Sequence, residues 1–151
     1  MDLKEIYDDY LIIKTLKSPF KIKHKILTEL FSSYENIWQV VGITENALDT
    51  FSKNNFKTKT GIGINRAHKQ DRIKTNDYLL NNDIDYTIWA DYFIKHNECV
   101  LSTSSENYSN QLSKVYPIDS SLGLFKSSGF AWRHRKLEQA YLQELFSKKI
   151  K

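Results

Sequence analysis

The segment Ile62-Gly-Ile-Asn-Arg-Ala-His68 reads as a strand that ends on a histidine, with Arg66, Lys69 and Arg72 on either side of it. An imidazole exchanges protons near neutral pH and so suits a general base, while guanidinium and ammonium groups hold phosphate oxygens. Further along, Cys99-Val-Leu-Ser-Thr103 reads as a second strand running into a helix start that carries Glu106, Asn107 and Asn110. The densest basic and aromatic cluster is Phe130-Ala-Trp132-Arg133-His134-Arg135-Lys136. Its tryptophan can stack on a nucleobase while the cations hold phosphates, and His134 can serve as a second catalytic or metal-binding histidine. The same residues also fit a solvated helix start with Trp132 as a core anchor, just as His68 alone fits a hydrogen-bonded structural residue.

A strand delivering a histidine, a return strand, and then an asparagine on a helix resembles the HNH (ββα-metal) nucleases. The resemblance implies metal-dependent hydrolysis of phosphodiester bonds, with His68 as the base that activates water and Asn107 as its support. It also implies a divalent metal, Mg²⁺ or Mn²⁺, touched by Glu106 or Asn110, and phosphate contacts from Arg66, Lys69 and Arg72. The C-terminal cluster adds Trp132, Arg133 and Arg135 as nucleic-acid contacts and His134 as a metal ligand if it meets His68 in space.

A second stretch, Trp38 to Phe51, resembles the centre of a helix-turn-helix. Gly42 supplies the tight turn, Ile43 the apolar residue after it, and Ala47-Leu48 the pair that seats a second helix. On that helix Asn46 and Lys53 are donors suited to DNA, whereas Glu45 and Asp49 oppose phosphate. This stretch keeps open a non-catalytic DNA-binding or regulatory protein, and the aromatic content keeps open a protein-interaction module. Other chemistries lack their residues. Asp2-Leu-Lys4 has no preceding acid for a PD-(D/E)xK site, Ser102 to Ser105 lack a nucleophile elbow, and Gly61-Ile-Gly63 lacks the rest of a nucleotide fingerprint. Cys99 reads as a core thiol.

The elements that must position these residues follow from periodicity and punctuation. Ile6, Tyr10, Ile13 and Leu16 form a helical stripe stopped at Ser18-Pro19, and a second stripe takes Ile22, Ile26, Leu27, Leu30, Phe31 and Tyr34. Thr44 is an N-cap for a helix that places Ala47, Leu48 and Phe51 inward and stops near Asn54-Asn55. The stretch Thr60 to Asn65 reads as a strand with two glycines, followed by a basic loop or helix start from Arg66 to Arg72. Helices over Thr75–Asn81 and around Tyr86–His96, a strand over Glu98–Thr103, a short helix through Leu112, and a loop from Pro117 to Ser128 follow. The last helix runs from Trp132 to Phe146 with Leu137, Tyr141 and Leu145 on its inner face.

The expected fold class is α+β: a mostly helical single domain of 1–151 with a small antiparallel sheet, helical over 1–56 and mixed over 57–151. Composition agrees with a globular chain, at 40% apolar and 26% charged residues. One cysteine excludes an internal disulfide framework. No apolar run is long enough to span a bilayer, and the acidic N-terminus lacks the apolar region of a secretory signal, so a cytoplasmic protein without a membrane partner is expected. With 22 Lys+Arg against 18 Asp+Glu, the net charge of +4 favours an acidic partner mildly, and nucleic acid, DNA in particular, is the expected one.

Overall fold

The computed structural model describes residues 2–34, 39–57, 61–125 and 135–150. The elements are α1 (Leu3–Thr15), α2 (Phe20–Ser32), β1 (Gln39–Thr44), α3 (Glu45–Lys53), β2 (Ile64–His68), α4 (Arg72–Asn81), α5 (Tyr86–Lys95), β3 (Glu98–Thr103), α6 (Ser104–Ser109), β4 (Val115–Pro117), a 3₁₀ turn (Ser120–Leu122) and α7 (Arg135–Lys149). The fold class is α+β, mostly helical with a small sheet. No described helix is long and apolar enough to cross a membrane. The chain forms two compact units, one from Met1–Ile37 with His68–Glu98 and the other from Trp38–Ala67 with Cys99–Lys151.

The first unit is helical. Asp2 opens α1 with a capping box, its side chain accepting from the Glu5 N–H while Glu5 accepts from the Asp2 N–H. Ile6, Tyr10 and Ile13 then face inward, at the three- and four-residue steps the sequence predicts. On α2, Leu27 and Phe31 are buried, but Ile22 and Ile26 lie in solvent, so the inner stripe is narrower than the sequence implies. Trp89 of α5 is fully buried and stacks against Phe93 with ring centres 4.9 Å apart. Tyr10 also packs on Trp89, and its hydroxyl donates to the Leu79 carbonyl at 2.5 Å. Burial pushes that phenol up to about 12.

The second unit is built on a four-stranded sheet of order β2-β3-β1-β4. The Lys69 N–H donates to the Glu98 carbonyl at one end of the β2–β3 ladder and the Ser104 N–H to the Gly63 carbonyl at the other, so β2 and β3 are antiparallel. β1 and β4 are antiparallel, with Gly42 opposite Pro117 and Thr44 opposite Val115. β1 and β3 both end on threonines that bond the same carboxylate, Glu106, so they run side by side in the same direction. The sheet is therefore mixed, not purely antiparallel. Its core is Val40, Ile43, Ala47, Leu48, Phe51, Ile64, Cys99 and Leu101, closed by Ile118, Leu124, Phe125 and Leu142.

Three further expectations are corrected here. Gly42 lies inside β1 and makes no turn. A Cβ there would stand 2.7 Å from Val115 Cγ1 and 3.2 Å from the Tyr116 carbonyl oxygen, so the glycine lets β4 approach. With a strand in place of the first helix, Trp38 to Phe51 is not a helix-turn-helix. Next, α6 ends at Ser109 rather than running through Leu112, because Asn110 takes a left-handed conformation (φ 54°), and a short β4 (Val115–Pro117) leads into the expected loop. Finally, α7 turns Leu137 outward, at 64% exposure, and buries Glu138 and Leu142.

Candidate nucleic-acid interface

The sequence-selected residues belong to both units, with His68, Lys69 and Arg72 in the first and the others in the second. His68 closes β2 and is half-buried. Burial, assisted by the Arg72 charge and opposed by Asp71, pushes its imidazole down to about 4, so it is neutral at pH 7. A base works best with a pKa near the working pH, and a value near 4 makes His68 a weak one. Asn107 is exposed on α6, in the other unit. Within the second unit, α6 leaves β3 beside Gly63, whose carbonyl accepts from the Ser104 N–H.

Arg66 is on β2, not in a loop, and its Nη2 donates to the Phe125 carbonyl at 2.8 Å. Burial lowers its pKa, with Cys99 and Glu138 acting in the opposite sense. Glu138 in turn accepts from the Phe125 N–H at 2.7 Å, so Arg66 belongs to an internal polar link and is not turned to phosphate. Lys69 forms an ion pair with Glu98 at 2.7 Å, and Arg72 lies 3.5 Å from the Ser32 hydroxyl at the head of α4. Trp132, Arg133 and His134 lie outside the described residues, and Arg135 begins α7.

Glu106 has a different role from the one the nuclease resemblance implies. It is buried, and six donors converge on its carboxylate. One oxygen accepts from the Thr44 hydroxyl at 2.8 Å and from the Thr103 N–H and hydroxyl at 2.9 Å each. The other accepts from Asn46 Nδ2 at 3.1 Å, the Ser113 N–H at 2.9 Å and the Ser113 hydroxyl at 2.5 Å. Burial alone would raise its pKa, but the bonds from Ser113, Thr103 and Thr44 outweigh it and bring the carboxyl down to about 2. The hydroxyls work in both directions. Thr44 Oγ1 accepts from the Ala47 N–H, Ser113 Oγ from the Asn46 N–H, and Thr103 Oγ1 from the Glu106 N–H, all at 3.2 Å. Glu106 thus satisfies, through three hydroxyls, the open N–H groups at the starts of α3 and α6. Asn110 is the C-cap of α6, its N–H donating to the Glu106 carbonyl. Of the three candidate metal ligands, Glu106 has its carboxylate taken up by six donors, Asn110 is the C-cap of α6, and His134 lies outside the described residues. Among the described residues no group of three His, Cys, Asp or Glu could hold a metal ion.

The more telling feature is how charge is divided. The second unit holds 12 Lys+Arg and 6 Asp+Glu, net +6, and the first holds 10 and 12, net −2. All six acids of the second unit are engaged within it. Glu106 and Glu138 are buried as described, and Asp119 accepts from the Ser121 N–H. Glu144 pairs with Lys148, while Glu45 and Asp49 both pair with Lys149, at 3.3 and 2.5 Å. Lys53, Lys57, Lys114 and Lys136 are exposed and, among the described residues, pair with no carboxylate. Lys114 Nζ sits 4.9 Å from the centre of the Tyr116 ring. Sequence reasoning missed the Glu106 hub, although Thr103-Ser-Ser-Glu106 spells a capping box. It also missed Lys149 and the exposed Tyr108, for which the sequence carries no local signal. No known protein family, curated protein or solved structure matches the chain.

Proposed function

We propose that this protein binds nucleic acid and that its second unit supplies the contact surface. The observation that carries the reading is the arrangement just described: each of the six acids is bonded within the unit, three of them to lysines, while four exposed lysines form no ion pair among the described residues. An array of that kind binds a polyanion by releasing its condensed counterions. Four phosphate contacts on a single strand give a log–log salt slope of roughly −3, so affinity falls about 50-fold between about 50 and 200 mM salt.

The test is fluorescence anisotropy of labelled single-stranded DNA, single-stranded RNA and duplex DNA over a salt series. Parallel incubations with Mg²⁺, Mn²⁺ or EDTA look for cleavage. Binding with the stated slope supports the reading, and removal of the four lysines as glutamines should flatten it. Absence of binding at low salt, or binding indifferent to salt, refutes it. Metal-dependent cleavage lost in His68→Ala would restore the endonuclease reading.

A second reading, a protein-interaction module, is favoured by one observation on the first unit. Leu11, Ile12 and Leu16 on and after α1, and Phe20, Ile22 and Ile26 on α2, are exposed apolar side chains.

A further inference from the structure

We infer that Tyr108 is a base-stacking residue for single-stranded nucleic acid, with the polar segment from α6 to Lys114 as the surrounding contact surface. This rests on the nucleic-acid reading above and names the residue that would recognise bases rather than phosphates.

Tyr108 is 96% exposed, the most exposed large apolar side chain described. A ring in water on a mobile tail would mean little, but this one stands on a fixed support. A six-residue helix does not hold itself together. α6 is held by the capping box at Thr103 and by the left-handed cap at Asn110. Glu106 adds a third restraint, binding the helix to Thr44, Asn46 and Ser113. The helix is already formed when a ligand arrives, so stacking has only the Tyr108 side chain left to order.

The chemistry around the ring selects the ligand. Asn107, Asn110 and Gln111 are exposed and offer amide donors and acceptors of the kind that meet base edges. Lys114 is exposed at the end of the segment and suits a phosphate. The only carboxylate from Cys99 to Ile118 is Glu106, which is turned inward, and Glu45, which packs beside Lys114 and Tyr116, is paired with Lys149. A flat ring can stack only on a base whose face is open, which in a duplex is already covered by its neighbours. The ligand class is therefore single-stranded.

The test compares wild type, Tyr108→Ala and Tyr108→Phe for binding to a fluorescein-labelled oligothymidylate and to an abasic oligomer of the same length, in each case across salt. Circular dichroism confirms that the exposed substitution leaves the fold intact. Tyr108→Ala should bind oligothymidylate about tenfold more weakly with an unchanged salt slope, Tyr108→Phe should match wild type, and neither should alter abasic binding. Upfield shifts of the Tyr108 ring protons on titration with oligothymidylate would report the stack directly. Wild-type binding that Tyr108→Ala leaves unchanged, or weakens equally for the abasic oligomer, overturns the role of Tyr108 and spares the nucleic-acid reading. A wild type that binds neither oligomer overturns both.

Discussion

Replacing Glu106 by glutamine should destabilise the second unit by about 3 kcal/mol at pH 7, and two independent routes lead to that figure. The first is geometric. Three donors meet each carboxylate oxygen, and each set includes one backbone N–H, from Thr103 on one side and Ser113 on the other. Hydroxyls can rotate to receive an amide NH₂, but a backbone N–H cannot. Whichever way the glutamine amide lies, one buried N–H faces another donor, at about 1–3 kcal/mol, and the charge-assisted bonds around it weaken as well. The second route is the acidity of the wild-type group. A carboxyl brought from 4.5 to about 2 is worth about 3 kcal/mol of preference for the folded state, at 1.36 kcal/mol per tenfold change in acidity. The sign follows from which state takes up the proton. Unfolded chains protonate Glu106 near 4.5 and folded ones near 2, so the contribution is complete above about pH 5 and lost as pH falls towards 2. The difference between wild type and Glu106→Gln should therefore shrink on acidification. Urea denaturation at several pH values, paired with hydrogen exchange of the peptides spanning 39–53 and 99–117, measures both. A difference below about 1 kcal/mol, or one that stays constant between pH 7 and pH 3, would refute the account of Glu106 as a saturated hub.

Other consequences are as open to test. Gly42→Ala should cost about 1–3 kcal/mol, since its Cβ meets Val115 and the Tyr116 carbonyl, and Gly42→Ala with Val115→Ala should recover part of that loss in a double-mutant cycle. The His68 imidazole should titrate near 4 by NMR, with the fold losing stability as pH falls from about 6.5 to about 4, because the unfolded chain takes its proton first; a midpoint near 6.5 would mean His68 is not buried as described. Lys149→Ala should change stability by less than about 1 kcal/mol. It should nevertheless weaken binding to single-stranded DNA at low salt more than Lys136→Ala does, because it exposes Glu45 and Asp49 as well as removing a cation. Equal losses in the two variants would show that those acids do not face the ligand.

The parts of this fold that were legible in the sequence are those fixed by near neighbours. The stripe of α1, the Thr44 cap with Ala47, Leu48 and Phe51 behind it, and the strand Glu98–Thr103 depend on residues a few positions apart. What was misread depends on distant chain. Gly42 resembles a turn residue until β4, some 70 residues later, is laid against it. Leu137 belongs to a plausible inner stripe until Phe125 presents an N–H that needs Glu138. Satisfying that group rotates α7 so that a glutamate is buried and a leucine is not. Among the candidate site residues, Arg66 looked like a phosphate ligand because its basic neighbours are local, while the carbonyl it bonds is 59 residues away. Glu106 was the reverse case. Its capping box was visible in Thr103-x-x-Glu106, but the bonds from Thr44, Asn46 and Ser113 that exhaust the carboxylate were not.

The same dependence on distant partners decides what the surface offers to a ligand. In the sequence, α3 is an unpromising contact element, because Glu45 and Asp49 bracket its one useful amide, Asn46. In the folded unit, Lys149, a hundred residues from Asp49, takes up both acids, and Asn46 itself is committed to Glu106. α3 thereby ceases both to repel phosphate and to read bases. On the proposed reading, base recognition falls to α6, whose single acid is turned inward and whose tyrosine is turned out. The burial of Glu106 and the exposure of Tyr108 are thus two results of one packing choice. Pulling the carboxylate between the starts of α3 and α6 turns inward the charge that would oppose a strand and ties down the helix that carries the ring.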